Sequence, residues 1–287
     1  MVVFERVGLE SLLFDVPLVC KSWYKATHNP QCWTNLDFST ILFKSAMLRF
    51  SQPMMKPSDF MINFFKIAVN RSCRSATQLA LPVGCTPEAL RYVSQEFPNL
   101  RVLDVGTELW DYGNWDEKIL DRVDVNLLHL KCVELLNRDF PKFIAKWKYL
   151  EHLSLLSIPR DSFKEILRQI SLSCKNFSGL STTGTVGTEE ALAIATSLQK
   201  IRYLKLSGSF LPKNSLKVIL EGCKNLVLLD ARNCCGFEED DEDILKMASH
   251  IKTFFFEGSK SFFFDPSKSY YIDHFLYQAM INSPFDV

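Results

Sequence analysis

The sequence lacks any apolar run approaching the roughly 20 residues that a bilayer-spanning helix needs, which argues against an ordinary transmembrane span. Its first 30 residues carry Glu5, Arg6, Glu10, Asp15 and Lys21, so they lack the uninterrupted apolar core of a signal peptide. It also lacks a charge excess. Lys plus Arg number 33 and Asp plus Glu number 33, which removes the electrostatic reason to expect nucleic acid or an anionic membrane as partner. Histidine is scarce and scattered, at positions 28, 129, 152, 250 and 274, and no Ser-His-Asp or Cys-His arrangement shows by spacing. No catalytic centre and no cofactor are expected. The nine cysteines are odd in number and follow no framework spacing, which points to reduced thiols in the nucleus or cytoplasm. No Cys-x-x-Cys or nearby His pair completes a zinc site.

What the chain does have is length, apolar content and a period. Its 287 residues can bury a sizeable core in one or two domains, and 47% hydrophobic with 23% charged residues is ordinary for a globular protein. A short apolar phrase recurs: Ala76-x-x-Leu79-x-Leu81, Leu100-x-x-Leu103-x-Val105, Leu150-x-x-Leu153-x-Leu155, Phe177-x-x-Leu180-x-Thr182, Ile201-x-x-Leu204-x-Leu206, Leu226-x-x-Leu229-x-Ala231 and Ile251-x-x-Phe254-x-Phe256. Between middle residues the spacings are 24, 50, 27, 24, 25 and 25. The double interval predicts a further copy between 103 and 153, where Val125-x-x-Leu128-x-Leu130 and Leu130-x-x-Val133-x-Leu135 both fit.

Helix signals lie between the phrases. Thr86-Pro87 reads as an N-cap with proline at the first helical position, followed by Leu90, Val93 and Phe97. Ser162-x-x-Glu165 reads as a capping box before Ile166, Leu167 and Ile170. Asn214 and Asp241 read as caps of two further helices. One strand and one helix per 25 residues is the leucine-rich repeat, an α/β solenoid in which stacked units bury a shared core and the strands line a concave side. Cys174, Cys223 and Cys234 sit next to strands and suit crowded turns as small, weakly polar fillers.

Residues 3–38 depart from this period, although Trp33-x-x-Leu36-x-Phe38 reads as a first, irregular strand. Leu12, Val16, Val19, Cys20 and Trp23 fall at helical spacing, and Asn29-Pro30 breaks the chain before Trp33 and Leu36. The phrases Val3-Phe4-x-Arg6-Val7, Val19-Cys20-Lys21-Ser22-Trp23 and Asn29-Pro30-x-x-Trp33-x-x-Leu36 resemble the F-box. Joined to the repeats, they resemble F-box/leucine-rich-repeat proteins, most of all the plant branch. The F-box pattern usually begins about a dozen residues earlier, so the resemblance implies an N-terminally truncated F-box with weakened adaptor binding. The expected organisation is a truncated F-box over 1–38, a curved parallel strand-helix array over 39–260, and a C-terminal cap or tail over 261–287.

The resemblance implies a substrate-recognition subunit of a Skp–Cullin–F-box ubiquitin ligase, a non-catalytic adaptor serving protein ubiquitination and proteasomal degradation. Its partners would be the Skp adaptor with the cullin complex, and a target protein. Val3, Phe4, Val7, Leu9, Leu12, Pro17, Leu18 and Val19 are the candidates for the adaptor face, while Trp23 and Trp33 are expected in the core. Residues flanking each strand centre point to the concave side, which nominates Val102, Asp104, His152, Ser154, Tyr203, Lys205, Leu228, Asp230, Thr253 and Phe255 for target binding. The alternative is a leucine-rich-repeat binding module without a ligase role.

Other features have plain readings. The acidic run from Glu238 to Asp243 is read as a solvated loop before a helix rather than a cation site. The Gly184-Thr185-Val186-Gly187-Thr188 stretch is read as a turn, since it has no phosphate-binding lysine. Trp110, Tyr112 and Trp115 form either an interaction loop or an inward plug. Phe262, Phe263, Phe264, Tyr270 and Tyr271 belong to the tail, read as a cap over the last repeat.

Overall fold

The repeated apolar phrases become parallel strands of three or four residues. The computed structural model describes residues 4, 7–39, 57–82, 85–105, 139–155 and 160–261. They divide between two compact units, the first within 1–154 and 168–177, the second within 155–167 and 178–287.

The first unit opens with three short helices, α1 (Leu9–Phe14), α2 (Val16–Val19) and α3 (Lys21–Ala26), and a 3-10 turn at Pro30–Trp33. Strand β1 (Asn35–Asp37) follows, then helix α4 (Pro57–Ser72), β2 (Gln78–Ala80), α5 (Pro87–Glu96), β3 (Val102–Asp104), α6 (Phe140–Ile144) and β4 (His152–Leu155). The strands pair in parallel in sequence order, with Leu36, Leu79, Leu103 and Leu153 opposite one another. All four are fully buried, each contributing about 1.5–3 kcal/mol on leaving water. Trp33-x-x-Leu36-x-Phe38 is thus a strand in register with the first repeat.

One expectation fails here. β3 pairs directly with β4, Leu103 against Leu153. The ladder is closed by Glu151 N–H donating to the Arg101 carbonyl at 2.8 Å and Val105 N–H to the Ser154 carbonyl at 3.0 Å. With β3 and β4 hydrogen-bonded to each other, the further copy expected between 103 and 153 does not pair between them. Both registers proposed for the missing copy have their central residues outside the described residues, as do Trp110, Tyr112, Trp115 and the tail aromatics.

Helix α4 was not anticipated. Met61, Phe64, Phe65, Ala68 and Val69 are buried, and their spacing is that of one helical face. Thr86 caps α5 as its spacing suggested, its Oγ1 accepting from Ala89 N–H at 3.3 Å, with Pro87 first in the helix.

The second unit is more regular. It contains β5 (Gly179–Thr182), α8 (Thr188–Ser197), β6 (Tyr203–Lys205), α9 (Lys213–Gly222), β7 (Leu228–Asp230), α10 (Glu242–Met247) and β8 (Thr253–Phe255); α7, numbered between β4 and β5, spans Arg160–Ser173. The strands again pair in parallel and in order, with Leu180, Leu204, Leu229 and Phe254 in line. Four residues past the last three centres the chain turns through positive φ at Gly208, Asn233 and Gly258, a conformation that glycine and asparagine tolerate. The next position is buried each time, as Ser209, Cys234 and Ser259. Ser259 Oγ donates to the Ala231 carbonyl at 2.6 Å and accepts from Cys234 N–H at 3.1 Å, while the Cys234 thiol donates to the Leu206 carbonyl at 3.1 Å.

Two cap assignments are corrected. Ser162 lies inside α7, which already begins at Arg160, and α9 begins at Lys213 after Pro212, so Asn214 is within the helix. Asp241 does cap α10, its Oδ1 accepting from Ile244 N–H at 3.3 Å.

Candidate functional site

The three N-terminal helices bury some apolar side chains and expose others. Leu9, Leu12 and Val16 are buried. Cys20 is fully extended, φ −164° and ψ 168°, and this break turns the chain so that Val19, Cys20 and Trp23 do not continue the face of Leu12 and Val16. Leu18 is 83% exposed, Val19 58%, Tyr24 48% and Trp23 43%. No residue of α3 is buried.

Leu9 and Leu12, expected on an adaptor face, are therefore core residues, and Trp23, expected in the core, is exposed. Its ring meets Phe4 edge-on at 5.3 Å. Phe4, Val7 and Pro17 are half-buried, and Val3 lies outside the described residues. Trp33 is in the core as expected, its Nε1 donating to the Thr27 carbonyl at 2.7 Å. Sequence spacing placed Leu12, Val16, Val19, Cys20 and Trp23 on one helical face. The signal that breaks it is the pairing of Pro17 with an extended residue three positions later, and only the proline is visible in sequence.

On the strands, the nominated residues flanking the centres are exposed or half-buried, while the centres are buried apart from the half-buried Phe254. In the first unit Val102 aligns with His152 and Asp104 with Ser154, all four half-buried. In the second, Tyr203, Leu228 and Thr253 form one row and Lys205, Asp230 and Phe255 the next. Asp230 is the exception. It is 4% exposed, and Arg232 grips its carboxylate with Nε at 2.9 Å and Nη2 at 2.7 Å. Those contacts hold its pKa below the ordinary carboxylate range against the opposing effect of burial. The carboxylate is consumed internally, and the surface there is Arg232, whose guanidinium lies 4.9 Å from the Phe255 ring centre. Arg232 was missed; extending the strand alternation by one step beyond β7 would have found it.

The discounted features are explained by their contacts. Within the acidic run, Asp241 caps a helix, Glu239 accepts from Gly258 N–H at 2.6 Å, and Glu238 accepts from Ser261 N–H at 2.9 Å and from its hydroxyl. Lys213 bridges Asp241 at 2.7 Å and Asp243 at 3.3 Å. The run is largely exposed, as a solvated loop would be, and these bonds tie it down. At the glycine-rich turn, Glu190 Oε2 accepts from Gly187 N–H at 2.9 Å, occupying the N-terminus of α8 with the protein's own carboxylate. Burial pushes the Cys174 and Cys223 thiols up to about 11 and that of Cys234 to about 12, so all three are protonated fillers at neutral pH. Among the described residues no cluster of His, Cys, Asp and Glu could hold a metal ion, and no helix is long and apolar enough to cross a membrane.

An N-terminal set of short helices with exposed apolar residues, joined to in-register leucine strands, has relatives among curated proteins. Putative F-box/LRR-repeat protein 22 of Arabidopsis thaliana is 35% identical over 250 residues, covering 81% of this chain and 66% of that protein. The chain belongs to the F-box/leucine-rich-repeat family. F-box protein SKIP19 of Arabidopsis thaliana is 24% identical, over 81% of this chain and 66% of its own length, and Putative F-box/LRR-repeat protein 23 is 23% identical, over 81% and 45%. The F-box/leucine-rich-repeat chain thus spans between about half and two thirds of the length of these relatives. No family model matches it.

Proposed function

We propose that this F-box/leucine-rich-repeat chain is a non-catalytic target-recognition subunit of a Skp–Cullin–F-box ubiquitin ligase, working in the nucleus or cytoplasm. The observation that carries the reading is the apolar group Leu18, Val19, Trp23 and Tyr24, exposed on helices that bury almost nothing else. Side chains of this kind are anchors for a protein partner, each worth about 1.5–3 kcal/mol when covered. The partner is the Skp adaptor, which links to the cullin complex. The adaptor face is Leu18, Val19, Trp23 and Tyr24 with Phe4, Val7 and Pro17 at its margin.

Target proteins would meet the strand residues that flank the buried centres: Val102, Asp104, His152 and Ser154 in one unit, and Tyr203, Lys205, Leu228, Thr253 and Phe255 in the other, with Arg232 replacing Asp230. Holding a target where ubiquitin is delivered needs no reactive side chain here, because positioning alone raises the effective concentration of the reactants.

Calorimetry against a purified Skp adaptor tests the reading. Binding by the wild-type chain and its loss in Leu18→Asp support it. No binding by the wild type, or equal binding by the variant, sinks it and leaves a leucine-rich-repeat module without a ligase role.

A further inference from the structure

We infer that Arg71 is a positioning residue for the docking helix: reaching from α4, its guanidinium holds α3 in the orientation that presents Trp23 and Tyr24. The inference rests on the docking role proposed above.

Helix α3 has six residues and buries none of them. Isolated helices shorter than about 12 residues are marginal in water, so something outside the helix must hold it. The contacts gather at its C-terminal end, around Thr27, which is fully buried. Thr27 Oγ1 donates to the Tyr24 carbonyl at 2.8 Å, and its own carbonyl accepts from Trp33 Nε1 at 2.7 Å. Arg71 Nη1 donates to Thr27 Oγ1 at 3.3 Å. The same guanidinium lies 5.7 Å from the Tyr24 ring centre and 5.9 Å from that of Trp33. One cation therefore joins the exposed ring of α3, the buried ring of the 3-10 turn and the hydroxyl between them.

Only arginine suits this arrangement. Its planar group stacks on aromatic faces while its N–H groups point in fixed directions, which a lysine ammonium cannot reproduce. Helix α1 has a separate tie to α4, with Phe14 edge-on to Phe64 at 5.5 Å. Losing Arg71 should therefore release α3 while α1 stays in place. A loosened α3 binds more weakly in proportion to the fraction of time it spends in place, since the apparent Kd is the intrinsic Kd divided by that fraction.

The experiment uses the full chain, wild type and the variants Arg71→Ala, Arg71→Lys and Leu18→Asp. Hydrogen exchange is read at the amides of Tyr24, Thr27 and His28, which donate to the carbonyls of Cys20, Trp23 and Lys25. Calorimetry with purified Skp adaptor gives the affinity. Arg71→Ala is expected to speed exchange at these amides by about tenfold, to leave α9 unchanged, and to raise the Kd by about tenfold as the docked fraction falls; Arg71→Lys should recover only part of both. If Arg71→Ala does not fold, Arg71→Gln takes its place. Unchanged exchange overturns the inference whatever the adaptor does. Faster exchange with an unchanged Kd overturns it too, because α3 would then be held by Arg71 without serving the adaptor. If Leu18→Asp abolishes binding while Arg71→Ala keeps full affinity, the docking reading stands and the positioning role falls. If the wild type does not bind at all, the docking reading fails and takes the positioning role with it, while the exchange data separately decide whether Arg71 holds the helix.

Discussion

Helices α3 and α9 put apolar residues to opposite uses. α9 buries Ser215, Leu216, Ile219 and Leu220 along one face, and its Gly222 lets Ala195 of α8 approach so closely that an added Cβ would sit 2.4 Å from the alanine's own. α3 buries nothing and leaves Trp23 and Tyr24 in water. The same apolar chemistry stabilises the fold in one helix and remains available to a partner in the other. The presence of large apolar residues cannot tell the two apart. What separates them is length, ten residues in α9 against six in α3.

If that contrast is correct, truncations should have unequal costs. Leu220→Ala empties a fully buried site and should destabilise by about 3 kcal/mol, whereas Trp23→Ala should stay within about 1 kcal/mol, because 43% of the residue is already exposed. Urea titration of both variants reads the difference. Equal losses would place Trp23 in a core and break the comparison. Gly236→Ala comes next. Its φ is +125°, and a Cβ there would lie 2.6 Å from the Leu211 carbonyl oxygen. Left-handed strain and crowding together predict a loss of about 2–3 kcal/mol. A neutral result would mean that this turn relaxes freely and that the regular second unit is less tightly specified than its period implies.

Legibility followed the same division. The strand centres of the second unit, Leu180, Leu204, Leu229 and Phe254, were all readable, because a 25-residue period repeats the same environment and each copy corroborates the others. The period misled where one interval doubled. Fifty residues between Leu103 and Leu153 suggested two repeats, but the ladder joins β3 to β4 directly, and spacing alone carries no information on which strands pair. Helix α4 was legible in the helical spacing of Met61, Phe64, Phe65, Ala68 and Val69 and went unread because it is not itself one of the repeated phrases. In the candidate site, Leu18 was assigned to the surface because it flanks the stripe, and it is there. Trp23 was misplaced because an extended Cys20 resets the helical phase; Leu9 and Leu12 were assigned to a partner by the F-box resemblance, whereas both are buried within the fold. Asp230 was misjudged because its partner, Arg232, lies beyond the strand.

A smaller effect concerns the turn that precedes α10. Asp241→Ala removes the acceptor for Ile244 N–H, which should cost about 1 kcal/mol. The loss should persist in 1 M salt, where the Lys213 contacts are screened. A loss that disappears in salt would show that the lysine bridge, not the cap, is what Asp241 contributes.

The smallest expected effect is the most informative about chemistry, since Arg232 is half-exposed and its pair with Asp230 is partly screened. Because the contacts with Arg232 lower the Asp230 pKa in the folded chain, the native state binds fewer protons than the unfolded one near that pKa. The stabilisation is therefore fully present above the unfolded aspartate value of about 3.9 and is lost as pH falls through the lower folded value. Arg232→Ala should lower Tm at pH 7, and the gap to wild type should close as the buffer is taken below about pH 4, where Asp230 is protonated in the unfolded chain. A gap that stays constant with pH would assign the contribution of Arg232 to its packing on the Phe255 ring instead. In that case the strand face of the second unit would present a stacked arginine whose charge remains available to a target, rather than one already committed to a buried carboxylate.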